Sequence, residues 1–153
     1  MSHWQKGKLS LNCSLEVLQQ ALVNVMPTWE KYIQTDTNGS LPLHNSYTNE
    51  TKKGFHLVIP GGQNPMGGKK GVVSTPGVNY ADVGFKKVGD HWEVEADKDG
   101  LRINLEGEIT AEVAMMKARV IAAMGSVSII SDEKTNGKRR IVLRKKVDPS
   151  YHA

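Results

Sequence analysis

Residues 80–106, YADVGFKKVGDHWEVEADKDGLRINLE, contain three short runs in which apolar and polar side chains alternate. The runs cover residues 83–87, 92–96 and 101–105, and a glycine lies in each of the two turns between them. Side chains two positions apart point to the same face of a strand, so this period of two predicts an antiparallel meander with one buried face. Glycine suits both turns because it adopts positive φ without steric cost.

Helical patterns precede and follow the meander. The first covers residues 15–25; it follows Ser14, whose hydroxyl can accept a backbone N–H of the first turn, and it ends before Pro27. The second covers about residues 108–124, and Gly125 is placed to end it in the left-handed conformation. The apolar stripe expected on this second helix consists of Ile109, Val113, Met116, Val120 and Met124.

The rest of the chain supplies further strands and one long irregular stretch. Residues 36–53 are rich in Thr, Asn, Ser and Gly and are predicted to form a loop. Asn136-Gly137, between two strand-like runs, is a strong hairpin signal near the C-terminus. The additional strands are predicted at residues 4–11, 29–34, 55–59, 127–131 and 138–147.

Together these elements predict one α+β domain over residues 1–147. We expect a single antiparallel sheet, formed by the meander and the C-terminal hairpin, with both helices packed on one face. Residues 148–153 are expected to be a frayed tail. A chain of 153 residues can bury a core of this kind without metal or disulfide support.

The composition is that of a globular protein, with 39% hydrophobic and 24% charged residues. Cys13 is the only cysteine, which excludes an intramolecular disulfide and favours a reducing compartment. No apolar run reaches the length of about 18 residues that a membrane-spanning helix needs. The first residues also lack the apolar core of a signal peptide, so we expect a cytoplasmic protein without membrane association.

Several segments resemble a known family of small proteins. They are the opening Met1-Ser2-His3, the early helix LEVLQQAL (residues 15–22), the stretch DVGFKKVGDHWEVEAD (residues 82–97), the late helix, and the closing NGKRRIVLR (residues 136–144). In these the chain is similar to the family called hypothetical chloroplast reading frame thirty-five, which occurs in red-algal plastids, cyanobacteria and bacteriophages. It departs from that family in its glycine-rich insert at residues 60–71 and in DKDGLRINLE, where the family tends to have a tryptophan-bearing turn.

The resemblance implies a partner but no reaction. The family has no established activity, so no catalytic residue carries over. Some bacterial and phage relatives are encoded beside ring-forming ATPases, which implies an adaptor whose protein partner could be an ATPase. The resemblance also implies a bacterial or phage-infected cell as the setting, or the plastid stroma in the plastid branch.

The segment PGGQNPMGGKKG, residues 60–71, is predicted to be a mobile loop. Gly62 and Gly67 have the spacing of a phosphate-binding Walker loop, but the next residues are Gly68, Lys69 and Lys70, with no Ser or Thr. Residues 71–75, GVVST, are strand-like, whereas a phosphate site of this kind needs a helix after the loop. The loop is therefore better explained as a solvated linker, a partner-contacting loop or a flap over a small molecule.

Acidic residues after the second run of the meander have the spacing of a calcium loop. Glu95, Asp97, Asp99 and Glu106 take positions one, three, five and twelve, with Gly100 at position six. However, position one is normally Asp, and a strand precedes the loop where a helix should. We favour a strand turn in which Gly100 is left-handed and Asp97 accepts from the turn backbone. No metal or other cofactor is expected, since no histidine has zinc-ligand spacing with another His or Cys.

The net charge of +4 is concentrated in one strand. Residues 138–146 hold six basic residues and no acidic one, and the rest of the chain has 14 basic against 16 acidic residues. If Ile141 and Leu143 face the core, alternate cations share the outer face over about 20 Å, a length comparable with several phosphates. The alternative is an edge strand whose charges prevent pairing with other chains. The candidate binding residues are Lys138, Arg139, Arg140, Arg144, Lys145 and Lys146, together with Lys69 and Lys70.

Three functions are compatible with these patterns. The first is a small non-enzymatic binding or adaptor protein that acts through a macromolecular partner. The second is nucleic-acid binding through the basic strand. The third is a ligand-binding or enzymatic domain in which residues 60–71 close over a small molecule.

The nucleic-acid hypothesis makes a quantitative prediction about salt. If Arg140 and Arg144 each contact a phosphate, replacing both by Ala should weaken DNA and RNA binding and reduce the slope of log K against log salt by about two. The slope is measured by titrating a labelled oligonucleotide at several salt concentrations. Unchanged retention of nucleic acid by the double variant at low salt would exclude this hypothesis.

Overall fold

The computed structural model describes residues 3–62, 75–98, 100–101, 103–125, 127–135 and 138–145. These residues form nine strands, two α-helices and one 3₁₀ turn. In chain order the elements are β1 (Gln5–Leu9), α1 (Leu15–Val25), the 3₁₀ turn (Pro27–Trp29), β2 (Gln34–Thr35), β3 (Leu41–Asn45), β4 (Glu50–Phe55), β5 (Leu57–Ile59), β6 (Val83–Val88), β7 (His91–Ala96), α2 (Leu105–Ala123), β8 (Val127–Thr135) and β9 (Lys138–Lys145).

Five antiparallel strands form the main sheet, in the order β1-β7-β6-β5-β2. Both α-helices pack on one face of it, so the predicted α+β class is confirmed. The helices contribute Leu18, Leu22, Ile109 and Val113, all fully buried, to a single core cluster. The strands contribute Leu9, Leu57, Ile59, Val83, Phe85, Trp92, Val94 and Ala96 to the same cluster.

Local signals placed the start of α1, the end of α2 and the turn between β6 and β7 correctly. Ser14 caps α1, its hydroxyl accepting the N–H of Val17 at 3.2 Å. Gly89 has φ of 61° between β6 and β7, and Gly125 has φ of 81° just after α2. No helix in the described part of the chain is long and apolar enough to cross a membrane.

The expected single sheet is divided, because β8 and β9 pair only with each other and form a separate hairpin. At 19 residues α2 is about 28 Å long, and its buried residues in the main core cluster, Leu105, Ile109 and Val113, all lie in its first half. The chain therefore leaves α2 beyond the main sheet, and the hairpin packs against the helix instead.

The second face of the main sheet carries a hairpin that was predicted to be a loop. β3 and β4 form a two-stranded sheet, and Leu43, Phe55 and Val58 make a second core cluster beneath it. Lys52 of β4 also forms an ion pair with Glu95 of β7 at 2.6 Å. The loop prediction was wrong for residues 41–45 and 50–53, because Leu43 and Phe55 are buried and fix this hairpin on the main sheet. Residues 36–40 and 46–49 are irregular or turns, as predicted.

The third strand of the predicted meander is absent from the described residues of 101–105. Leu105 instead begins α2, and Asn104 caps it by accepting the N–H of Gly107 at 3.2 Å. Leu101 and Ile103 are half-buried against the main core, which accounts for their alternation without a strand. The strand predicted at residues 29–34 was also wrong, since a 3₁₀ turn precedes the two-residue β2.

Gly84 permits the hairpin to approach the main sheet closely. A Cβ at this position would lie 2.6 Å from Leu43 Cδ1 and 2.7 Å from Phe55 Cδ1. We expect Gly84→Ala to lower the free energy of unfolding by about 1–3 kcal/mol through overpacking. Urea denaturation measures the change.

Gly89→Asn provides the control for this substitution. Gly89 has nothing within 4 Å of a built Cβ, and Asn tolerates its positive φ. The control should have a free energy of unfolding close to that of wild type. Equal stability of Gly84→Ala and wild type would contradict the close packing of β3–β4 on the sheet.

Candidate binding surface

The C-terminal end of α2 exposes three apolar side chains, of which Val120 and Met124 were predicted to belong to the apolar stripe that packs on the sheet. Val120 is 62% exposed, Ile121 40% and Met124 75%. Ile109 and Val113, earlier in the same stripe, are fully buried. The periodicity correctly predicted the helix, but it carried no information about which turns the sheet would cover. We call Val120, Ile121 and Met124 the α2 patch.

The surroundings of the α2 patch are cationic. Lys117 and Arg119 are exposed on the same helix, and the Arg119 guanidinium lies 4.0 Å from the Glu112 carboxylate. Between Glu112 and Asp132 the chain contains no acidic residue. The sequence already showed this run of residues without a carboxylate. Together with the apolar stripe, the run could have indicated that the end of α2 is a binding surface and not part of the core.

The β8–β9 hairpin carries the net charge of the molecule. Its two strands and their turn hold six basic and two acidic residues, a balance of +4 that equals the net charge of the whole chain. The side chains of Arg140 and Arg144 are exposed. Two of the predicted binding residues are therefore accessible on a hairpin that packs against α2.

The strand register separates two regions of the hairpin. Toward the turn, Glu133 lies opposite Arg140 and Asp132 lies opposite Ile141. Near α2, Ser128 lies opposite Arg144 and Val127 opposite Lys145. The two acidic residues of the hairpin thus lie in the half near its turn, where they offset two of four basic residues, and the half near α2 contains Arg144 and Lys145 without an acidic residue.

Part of the predicted site lies outside what the structure describes. Lys69, Lys70 and Lys146 are outside the described residues, as is most of the loop at residues 60–71. Lys138, Arg139 and Lys145 belong to β9, but their side chains and that of Leu143 are not among those described. Ile141 and Val142 are both half-buried, although they were expected to lie on opposite faces of the strand, one buried and one exposed.

The base of the glycine-rich loop is held by hydrogen bonds. Gly61 N–H donates to Asp82 Oδ1 at 2.7 Å, and Gly62 N–H donates to the Asn79 carbonyl at 2.6 Å. The Ser46 hydroxyl donates to the Gly62 carbonyl at 2.8 Å. These two glycine N–H groups are occupied within the protein, which argues against a phosphate cradle at this end of the loop.

The carboxylates with calcium-loop spacing are engaged by the protein. Glu95 pairs with Lys52, and Glu106 pairs with Lys98 at 2.9 Å. Asp97 accepts from the Asn79 amide and from the Gly100 N–H. Asp99 lies outside the described residues, and among the described ones no group of three or more His, Cys, Asp or Glu could hold a metal ion. This geometry favours the structural turn.

The turn differs from the prediction in one respect. Gly100 is not left-handed, since its φ is not positive. Glycine is needed there for space, because a Cβ would overlap the Asn79 amide. Asp97 does accept from the turn backbone, as predicted.

In one cleft of the described residues the polar groups are engaged within the protein. A cleft of about 470 Å³ lies between the 3₁₀ turn and residues 100–103. Its Trp29 indole donates to the Pro76 carbonyl, and its Asn79 amide donates to Asp97, so both polar groups are already engaged. Burial raises the pKa of the Cys13 thiol, which lowers its thiolate fraction and thus its reactivity.

Comparison with protein-family models, curated proteins and solved structures gives no match for this chain. Function is therefore argued from the geometry of the chain itself. The α2 patch and the adjoining hairpin combine exposed apolar side chains with a net positive charge.

Asp82 should be important for the anchoring of the glycine-rich loop. The residue is 2% exposed, and its carboxylate accepts from Gly61 N–H and from His44 N–H at 2.8 Å. In Asp82→Asn the amide NH₂ group would face one of these donors. We expect a loss of about 1.5–3 kcal/mol in unfolding free energy, together with faster proteolysis beside residue 61.

Asp90→Asn provides the matched control, because the Asp90 side chain is 90% exposed. Urea denaturation and limited proteolysis compare the two variants with wild type. An Asp82→Asn protein as stable and as protease-resistant as the control would contradict the anchoring role.

Proposed function

We propose that the protein is a small non-enzymatic binding protein that engages a macromolecular partner through the α2 patch and the β8–β9 hairpin. The observation that carries the proposal is the exposure of Val120, Ile121 and Met124 on one part of α2. Apolar side chains at the centre of a surface with charged residues around them are the usual composition of a protein–protein interface.

The charges favour a partner with acidic groups. Lys117, Arg119 and Arg144 are exposed on the helix and on the adjoining strand. Charges at the rim of an interface mainly accelerate association and select the partner, while the apolar centre supplies most of the affinity. An adaptor role, with an ATPase as one candidate partner, agrees with the family resemblance of the sequence.

The proposal is tested by affinity capture with wild type and with Val120→Gln/Met124→Gln. Glutamine removes the apolar surface without adding charge, and it favours helix at least as well as valine. We expect wild type to retain a specific partner from an extract of the cells that encode it, and the double variant to lose that partner. Quantitative mass spectrometry of the retained material measures the difference.

Ala114→Gln serves as the control, because Ala114 is exposed on α2 but lies outside the patch. It should retain the partner as wild type does. Capture of the same material by all three proteins, or of nothing specific by any of them, would defeat the proposal. Circular dichroism of each variant verifies that α2 is intact.

A further inference from the structure

We infer that the occupant of this surface is an acidic amphipathic helix of a partner protein. The inference rests on the proposed function and adds the chemistry of the partner. It draws on the shape of the α2 patch, on the distribution of charge around it and on the total charge of the chain.

The shape of the α2 patch suits a helix. Val120 and Met124 are four residues apart, so they lie above one another on the same helical face, separated by about 6 Å along the axis. Ile121 extends this face sideways. A second helix buries such a stripe by placing its own apolar row against it, which is the common way in which amphipathic helices are recognised.

The charge beside the patch selects an acidic occupant. Arg144 lies near the α2 end of the hairpin, opposite Ser128, whereas Glu133 lies opposite Arg140 about 13 Å further along β9. Lys117 adds positive charge on α2, three residues before Val120, and Arg119 is exposed but lies 4.0 Å from the Glu112 carboxylate. A helix seated on the patch would therefore meet cations along its flank, and carboxylates there would complement them.

A second copy of this chain and a nucleic acid fit the surface less well. Self-association through this face would bring two hairpins of net charge +4 together. A nucleic acid would meet the carboxylates of Glu133 and Asp132 near the turn, and its phosphates would make no use of Val120 or Met124. An acidic protein helix uses both the apolar and the cationic parts.

The experiment uses a labelled synthetic peptide of about 18 residues, with Leu at every third or fourth position and Glu and Ala elsewhere. Fluorescence anisotropy measures its affinity for the full chain. We expect saturable binding that weakens as salt is added, and a loss of at least about tenfold in Val120→Gln/Met124→Gln. Arg144→Gln should weaken binding and reduce its salt dependence, and Ala114→Gln should bind as wild type does.

Two further probes separate the alternatives. A peptide of the same composition in scrambled order has no apolar face and should bind at least about tenfold more weakly. A DNA duplex of about 20 base pairs should bind more weakly than the amphipathic peptide at physiological salt. Equal binding of the two peptides, no effect of Val120→Gln/Met124→Gln, or tighter binding of the duplex would overturn the inference.

The outcome is distinguishable from failure of the proposed function. If affinity capture yields a partner that depends on Val120 and Met124 but the acidic peptide does not bind, the surface binds a partner of another chemistry. If affinity capture shows no dependence on these residues, the surface itself has been misassigned.

Discussion

The buried Asp82 is the constraint on which much of the architecture depends. Its carboxylate accepts from the N–H groups of His44 and Gly61, its own N–H donates to the His44 carbonyl, and its carbonyl accepts from the Trp4 indole. The residue that immediately precedes β6 thus joins the residue before β1, the strand β3 and the base of the glycine-rich loop. A carboxylate is costly to bury unless hydrogen bonds replace its hydration, and here the backbone N–H groups provide that replacement.

The elements that were predicted correctly are those that local chemistry defines. Ser14 and Gly125 mark helix ends through caps that depend on a few neighbouring residues. The two strands predicted on either side of Asn136-Gly137 pair with each other, and these two residues themselves lie outside the described residues. The β3–β4 hairpin could not be predicted in this way. Its polar sequence becomes a pair of strands because Leu43 and Phe55 are buried over Gly84, a contact between residues far apart in the chain.

Only half of the candidate site was predicted. Charge is a property of composition, so the basic strand was evident from residues 138–146 alone. The apolar end of α2 was taken for core, because a stripe of the same period serves equally for a buried face and for an interface. The difference is decided by how far the sheet extends beneath the helix, and that depends on the whole fold.

The pairing of β1 with β7 also governs when this molecule can fold. Leu9 pairs with Trp92 and Gln5 with Ala96, so the strand that begins the domain must wait for a partner made more than eighty residues later. A ribosome adds about 5–20 residues per second, which leaves β1 and the apolar face of α1 uncovered for seconds in every cycle of synthesis. The topology therefore determines the order in which the strands pair. The pairing of β1 with β7 forms late, because it must close the long loop between them at a cost in conformational entropy. Lys6 and Lys8 place positive charge on β1, and this charge opposes its pairing with other chains before β7 is available.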